Sequence, residues 1–171
     1  QPTNLKSSDF QRHLNRLQPD VQVVVAFRML PKSVWSFPKL GTYNVHASLL
    51  PNYRGAAPIN WVLINGETKT GVTTFKLKHE IDTGDMALQE ELEIEYDDNF
   101  ASLYVKLADL GAKLLVTTLH TLFNGTLKLK VQKLNGGLSD APKINKEHLI
   151  IAQDEKRNVL NRVRAFSPYP G

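Results

Sequence analysis

An amide and an imidazole stand two residues apart at the end of a short apolar segment, in Asn44-Val45-His46. If residues 43–46 form a β-strand, the side chains of Asn44 and His46 point to the same face of the sheet. Such a pair can donate hydrogen bonds to a developing oxyanion, and the imidazole can also move protons near neutral pH. The alternative is a histidine with a purely structural role, and the neighbouring amide makes this interpretation weaker.

A second polar centre is the loop Ile81-Asp82-Thr83-Gly84-Asp85. A carboxylate held near His46 would fix the tautomer of the imidazole and stabilise its cationic form. Aspartate and glycine also dominate ordinary tight turns for backbone reasons, so the loop taken alone is more typical of a turn. Asp82 is therefore a candidate whose role depends on where this loop folds.

Composition excludes several kinds of site. The chain has 171 residues, 42% hydrophobic and 22% charged, which suits one globular domain or a piece of a larger protein, and the first residue, Gln1, favours a piece. The absence of cysteine excludes disulfides, thiol catalysis and iron–sulfur sites, and it favours a reducing compartment. No His-x-x-x-His spacing occurs, so no metal is predicted. No apolar run approaches the roughly 20 residues that span a bilayer, so no membrane association is predicted either.

The formal net charge is +4, and the basic excess lies at the C-terminal end, where residues 126–171 hold nine Lys and Arg against four Asp and Glu. Such a segment can face a polyanion. The alternative is a solvated tail that only keeps the surface wet.

Hydrophobic periodicity predicts the elements that must position these residues. A helix with Phe10, Leu14 and Leu17 on one stripe precedes a β-branched strand at 21–27. The predicted elements after it are a helix between Pro31 and Pro38, a strand at 43–46, a helix from Pro58, strands at 72–77 and 86–94, a helix from 98 or 99 to about 123, a strand at 127–131 and a helix at 158–165. This order predicts an α/β fold: a doubly wound, mostly parallel sheet with antiparallel additions. Nothing before residue 20 supplies the opening strand and glycine turn of such folds, so the sheet is expected to be truncated at its N-terminal side.

The combination of motifs resembles the folate-dependent formyltransferases, most of all those that act on methionyl initiator tRNA, over residues 20 to 171. The motifs that carry the resemblance are Asn44-x-His46, Ser48-Leu49-Leu50-Pro51, Arg54-Gly55-Ala56-Ala57-Pro58-Ile59-Asn60-Trp61, Asp82-Thr83-Gly84-Asp85-Met86, Ala141-Pro142-Lys143-Ile144 and Arg164–Gly171. Several of these runs contain the residues already singled out for their chemistry.

The resemblance implies transfer of a formyl group from 10-formyltetrahydrofolate to the amino group of initiator methionyl-tRNA, through a tetrahedral intermediate and without a metal. It implies a catalytic set of Asn44, His46 and Asp82. It also implies folate contacts from Ser48, Leu49, Leu50, Pro51, Phe27, Met29 and Leu30.

The same resemblance implies that residues 1–135 are the later portion of a catalytic domain. Residues 136–171 would be a connector toward a C-terminal β-barrel domain that has no counterpart here. We expect a monomeric parent protein in the bacterial cytoplasm or an organellar matrix, and a poorly active isolated chain because the opening strands are missing.

Three alternatives stay open. One is a sister formyltransferase acting on a nucleotide sugar or on glycinamide ribonucleotide, and another is a formyltetrahydrofolate hydrolase domain. The third, a non-catalytic RNA-binding fragment, is weaker because the basic residues lack the aromatic platform that single-strand binders use.

Overall fold

The computed structural model describes residues 2–26, 29–134, 137–149 and 156–169. The elements in chain order are α1 (Ser8–Leu17), β1 (Gln22–Val25), α2 (Lys32–Trp35), β2 (Thr42–His46), β3 (Arg54–Gly55), α3 (Pro58–Ile64), β4 (Lys69–Lys76), β5 (Met86–Glu93), α4 (Phe100–Phe123), β6 (Asp140–Ala141), a 3-10 helix (Lys146–Leu149) and α5 (Lys156–Ala165). No helix in these parts of the chain is long and apolar enough to cross a membrane.

Four strands form the main sheet in the order β1-β2-β4-β5. β1 pairs with β2 in parallel, whereas β2–β4 and β4–β5 are antiparallel. The predicted α/β class with parallel and antiparallel strands is confirmed. The antiparallel share of the described pairs is larger than expected, because β5 returns beside β4 through the short loop that contains Asp82, and a parallel return would need a longer crossover.

The long helix α4 covers one face of this sheet. It begins in a capping box, in which the Asn99 side chain accepts from the Ser102 N–H and the Ser102 hydroxyl accepts from the Asn99 N–H, both at 3.0 Å. Leu103, Leu107 and Leu114 recur at helical spacing and are buried in the main core. The predicted helix and its start are therefore confirmed.

The described residues of the predicted connector, 137–149 and 156–169, pack back onto the rest of the chain. β6 pairs with β3 in parallel, and the Trp61 indole donates to the Pro142 carbonyl at 2.8 Å. Asn60 Nδ2 donates to the Ala165 carbonyl at 2.7 Å. Ala141 and Ala165 are fully buried in the main core, so these residues complete the core. The division at residue 135 stays a prediction.

The strand predicted at 127–131 is wrong. Only Lys130 makes a bridge, with two 2.8 Å backbone hydrogen bonds to Met86. The chain leaves the sheet edge after this bridge because the side chain of Gln132, rather than further backbone, binds the carbonyls of the loop before β5.

Candidate active site

The polar face of β2 forms one end of a cavity of about 890 Å³. Asn44 and His46 lie at alternate positions of the strand, and both side chains line this cavity, as their spacing predicts. They are 5% and 6% exposed, so the two polar groups sit in a site that is largely screened from bulk water. Interactions with charge are stronger there than in water.

The other walls of the cavity are largely apolar. Leu30 and Trp35 come from the segment after β1, and Leu107 and Leu115 come from the inward face of α4. The lining also includes the stretch from Gly55 to Asn60 and the loop from Leu77 to Asp82. Apolar walls with a few convergent polar groups are typical of small-molecule sites.

His46 is held at both ring nitrogens. Nε2 lies 2.8 Å from the carbonyl oxygen of Tyr53, and because a carbonyl only accepts, Nε2 carries the hydrogen. Nδ1 lies 3.7 Å from Asp82 Oδ2. Both ring nitrogens thus face oxygen atoms, Nε2 at hydrogen-bond distance and Nδ1 somewhat farther away.

The loop that was predicted as either a turn or a catalytic element brings Asp82 to the histidine. Its Oδ2 accepts from the Gly55 N–H at 2.9 Å, while its backbone is left-handed, with φ +52°. No hydrogen bond within the described residues takes Oδ1. Because Asp82 also lines the cavity, Asn44, His46 and Asp82 meet at one end of it.

The Asn44 amide is unpaired. Its Oδ1 is buried and has no hydrogen-bond partner in the described parts of the chain. Buried polar groups without partners are uncommon in folded proteins. Because rotation of the amide exchanges its oxygen and nitrogen, Asn44 can offer either a donor or an acceptor to a ligand.

The residues predicted to contact folate divide into three groups. Met29 and Leu30 line the cavity. Phe27 lies outside the described residues. Ser48–Pro51 lie outside the cavity lining: Ser48 is fully buried and donates to the Asn52 carbonyl at 2.7 Å, and Leu50 binds the β4–β5 strands through its backbone. Folate contact by any of these residues stays a prediction.

The sequence reasoning assigned no role to three residues that hold the site together. Tyr53 supplies the carbonyl for His46, and Gly55 supplies the N–H for Asp82. Tyr53 directly precedes the Arg54–Trp61 motif and Gly55 lies within it, so this motif could have pointed to both residues. Gln132 gave no signal, because nothing in its neighbourhood distinguishes it from a surface glutamine.

Tyr53 is itself anchored. Its phenol donates to Glu67 and accepts from Asn65 Nδ2 at 3.1 Å. Burial of the phenol, followed by its hydrogen bond to the Glu67 carboxylate, raises the pKa of Tyr53. The neutral phenol therefore persists at neutral pH and keeps the backbone of Tyr53 beside His46.

The family model for formyl transferases matches residues 1–119. The chain belongs to the formyl transferase family. No cluster of three His, Cys, Asp or Glu side chains in the described ranges can hold a metal ion. Membership of this family agrees with the resemblance indicated by the motifs around Asn44, His46 and Asp82.

Curated relatives include proteins named methionyl-tRNA formyltransferase. The one from Flavobacterium johnsoniae is 50% identical over 99% of this chain, and the one from Azobacteroides pseudotrichonymphae is 51% identical over all of it. In both cases the match covers 54% of the relative. The chain thus spans about half the length of these formyl transferase relatives.

Solved structures share the fold of this formyl transferase chain. HypX from Aquifex aeolicus in complex with tetrahydrofolic acid is 24% identical with a TM-score of 0.79, over 94% of this chain and 28% of that one. An N-formyltransferase from Helicobacter canadensis, in complex with folinic acid and dTDP-3-aminofucose, is 28% identical with a TM-score of 0.66, over 72% of this chain and 46% of that one.

Proposed function

We propose that the protein containing this chain transfers a formyl group from 10-formyltetrahydrofolate to the amino group of initiator methionyl-tRNA. The observation that carries the proposal is the convergence of Asn44, His46 and Asp82 at one end of a cavity. The chain's relatives, about 50% identical and named for this activity, support it.

The cavity suits the flat ring system of the formyl donor. Its volume of about 890 Å³ falls within the range of roughly 300–1,000 Å³ that is usual for small-molecule sites. Met29, Leu30 and Trp35 give it an apolar wall, and we propose that the ring system of the folate lies against them. The formyl group would then lie toward Asn44 and His46.

The polar residues fit the charge that develops in the reaction. When the amine attacks the formyl carbon, the carbonyl electrons move to oxygen and form a tetrahedral oxyanion. The Asn44 amide and the imidazolium of His46 stabilise this oxyanion in a site from which water is largely excluded. Asp82 stabilises the imidazolium electrostatically across 3.7 Å.

One proton must also move. The attacking amine loses a proton as its bond to carbon forms, and N10 of the folate gains one as its bond to the formyl carbon breaks. We assign the first transfer to Asp82, directly or through one water, because its Oδ1 has no hydrogen bond within the described residues. The reaction needs no covalent enzyme intermediate, and Ser48, fully buried, is not the nucleophile.

The identity of the amine is the finer part of the proposal. Initiator tRNA is supported by the names of the relatives and by the exposed lysines among residues 126–149. We further propose that residues 1–135 are part of the catalytic domain and that residues 136–171 lead toward a further domain. On this proposal the 171-residue chain alone is a poor catalyst. The complete protein would act in the compartment in which initiator tRNA is charged, the bacterial cytoplasm or an organellar matrix.

The test uses the complete reading frame that encodes this chain. With 10-formyltetrahydrofolate and methionyl initiator tRNA as substrates, Asp82→Asn and His46→Ala should each lower kcat by roughly 10²-fold or more. The affinity for the formyl donor should change little, because these groups act on charge that is present mainly in the transition state.

Asp97→Asn is the matched control. Asp97 is an aspartate as well, but it is exposed and does not line the cavity. It should keep near-normal turnover. Near-normal turnover of Asp82→Asn or His46→Ala would refute the catalytic assignment, and a preference for a dTDP-linked amino sugar over the charged tRNA would refute the substrate.

A further inference from the structure

Gln132 uses both ends of its side chain to join the backbone of the Asp82 loop to the side chain of Arg54. Its Nε2 donates to the carbonyl of Asp82 at 2.8 Å and to that of Gly84 at 2.7 Å. Its Oε1 accepts from Arg54 Nε at 3.1 Å and from Arg54 Nη2 at 2.6 Å. The residue is 7% exposed, so these four hydrogen bonds lie in a protected environment. Hydrogen bonds to a charged group such as guanidinium are among the stronger ones in proteins.

These contacts hold a backbone that does not favour its own conformation. Asp82 has φ +52°, which lies in the left-handed region that residues with a Cβ adopt less readily than glycine does. Such a conformation persists only where the surroundings over-determine it. Gln132 binds the carbonyls of Asp82 and Gly84, which fixes the peptide group that follows Asp82 and the one that follows Gly84.

The same network reaches the carboxylate from its other side. Arg54, bound to Gln132, precedes Gly55, whose N–H donates to Asp82 Oδ2 at 2.9 Å. Asp82 is therefore held at its backbone by Gln132 and at its carboxylate by the residue after Arg54. Gln132 therefore binds both the Asp82 loop and Arg54, the residue before the glycine that binds the Asp82 carboxylate.

We propose that Gln132 is a positioning residue for Asp82: it keeps the carboxylate at its distance from His46 without touching the substrate. The inference rests on the proposed function, because the proposed function gives Asp82 a part in the reaction. Gln132 does not line the cavity, so its effect on turnover must pass through the Asp82 loop.

Two substitutions separate the two ends of the side chain. Gln132→Glu keeps an acceptor for Arg54 but removes both donors and sets a carboxylate against two carbonyls. Gln132→Met fills a similar volume and removes every hydrogen bond. In the complete protein, each should lower kcat about tenfold or more, while KM for 10-formyltetrahydrofolate changes less than about twofold.

A double-mutant cycle then tests whether the effect passes through Asp82. In the Asp82→Asn background, Gln132→Glu should lower kcat no further than about twofold, because the group that it positions is already gone. Thr118→Val is the stability control: its hydroxyl is fully buried, 2.7 Å from that of Thr74, and it does not line the cavity. It should lower the unfolding midpoint and leave kcat unchanged relative to each background.

The outcomes distinguish the two proposals. Normal turnover of Asp82→Asn refutes the catalytic assignment of Asp82 and, with it, the positioning role that rests on that assignment. An inactive Asp82→Asn together with normal kcat in a folded Gln132→Glu or Gln132→Met protein overturns only the positioning role. Independent, multiplicative losses in the cycle overturn it as well, because they would show that Gln132 acts elsewhere.

Discussion

Replacing Gly55 by alanine should damage both the fold and the site. Gly55 has φ +122°, and a Cβ built on it would lie 2.4 Å from the carbonyl oxygen of Ala141 and 2.9 Å from its carbonyl carbon. Both atoms are backbone, so they cannot move aside as the end of a flexible side chain can. The β3–β6 pair must therefore separate, and the Gly55 N–H that binds Asp82 moves with it.

Two costs add in Gly55→Ala. The positive φ contributes about 1–3 kcal/mol for a residue with a side chain. The forced separation of packed backbone contributes about 1–3 kcal/mol more. The free energy of unfolding should then fall by about 2–6 kcal/mol. Since about 1 kcal/mol corresponds to roughly 2–4 °C in Tm for chains of this size, the middle of that range is a fall of about 12 °C.

Gly125→Ala is the matched control, because Gly125 also has a positive φ, +69°, but nothing lies within 4 Å of its added Cβ. It should lose only the conformational cost, about 1–2 kcal/mol. Thermal unfolding followed by circular dichroism measures both variants, and the kcat of each at a temperature below its transition gives the effect on the site. Equal losses of stability in the two variants, or normal kcat in Gly55→Ala, would refute the reasoning.

Further predictions concern a buried carboxylate and the basic segment. Burial alone would raise the pKa of Asp98, but hydrogen bonds from Lys106, Ser102 and the Glu95 N–H lower it overall. A lowered folded-state pKa stabilises the fold above about pH 4 and is lost as the pH falls through the folded-state value. Asp98→Asn should therefore cost about 2 kcal/mol at pH 7, and urea midpoints should show the gap to the unsubstituted protein closing toward pH 3; a constant gap would contradict this. Each lysine that contacts phosphate should contribute about 0.7–0.9 to the salt slope of tRNA binding, while folate binding stays unchanged. Unchanged affinity and slope after neutralising all five exposed candidates would leave only a solubilising role for Lys128, Lys130, Lys133, Lys143 and Lys146.

Strand β2 could be predicted from sequence because the pattern that indicates it lies within a few neighbouring residues. Alternation along residues 43–46 placed Asn44 and His46 on one face, and the structure puts both in the cavity. The leucine spacing and the polar cap likewise predicted α4. In each case the period of the pattern matches the period of the element, so neighbours in sequence suffice.

The remainder of the site could not be predicted because it depends on distant partners. The residues at 81–85 are typical of a turn, and the groups that hydrogen-bond Asp82 belong to Gln132 and Gly55, 50 and 27 residues away. Hydrophobic periodicity suggested a strand at 127–131, but a side-chain amide replaces the backbone pairing there after the bridge at Lys130. The two-residue strands β3 and β6 are too short for any periodicity to show.

The pairing of Gly55 with Ala141 also bears on the order in which the protein is made. All three candidate catalytic residues have been synthesised by residue 82, yet the contacts that orient them arrive later, with Gln132 and then with β6. Synthesis adds roughly 5–20 residues per second, so for some seconds the growing chain carries Asn44, His46 and Asp82 without their final geometry. Contacts from Gln132 and β6 complete the candidate site, so a ribosome-bound intermediate that ends before residue 132 carries the three candidate residues without these contacts.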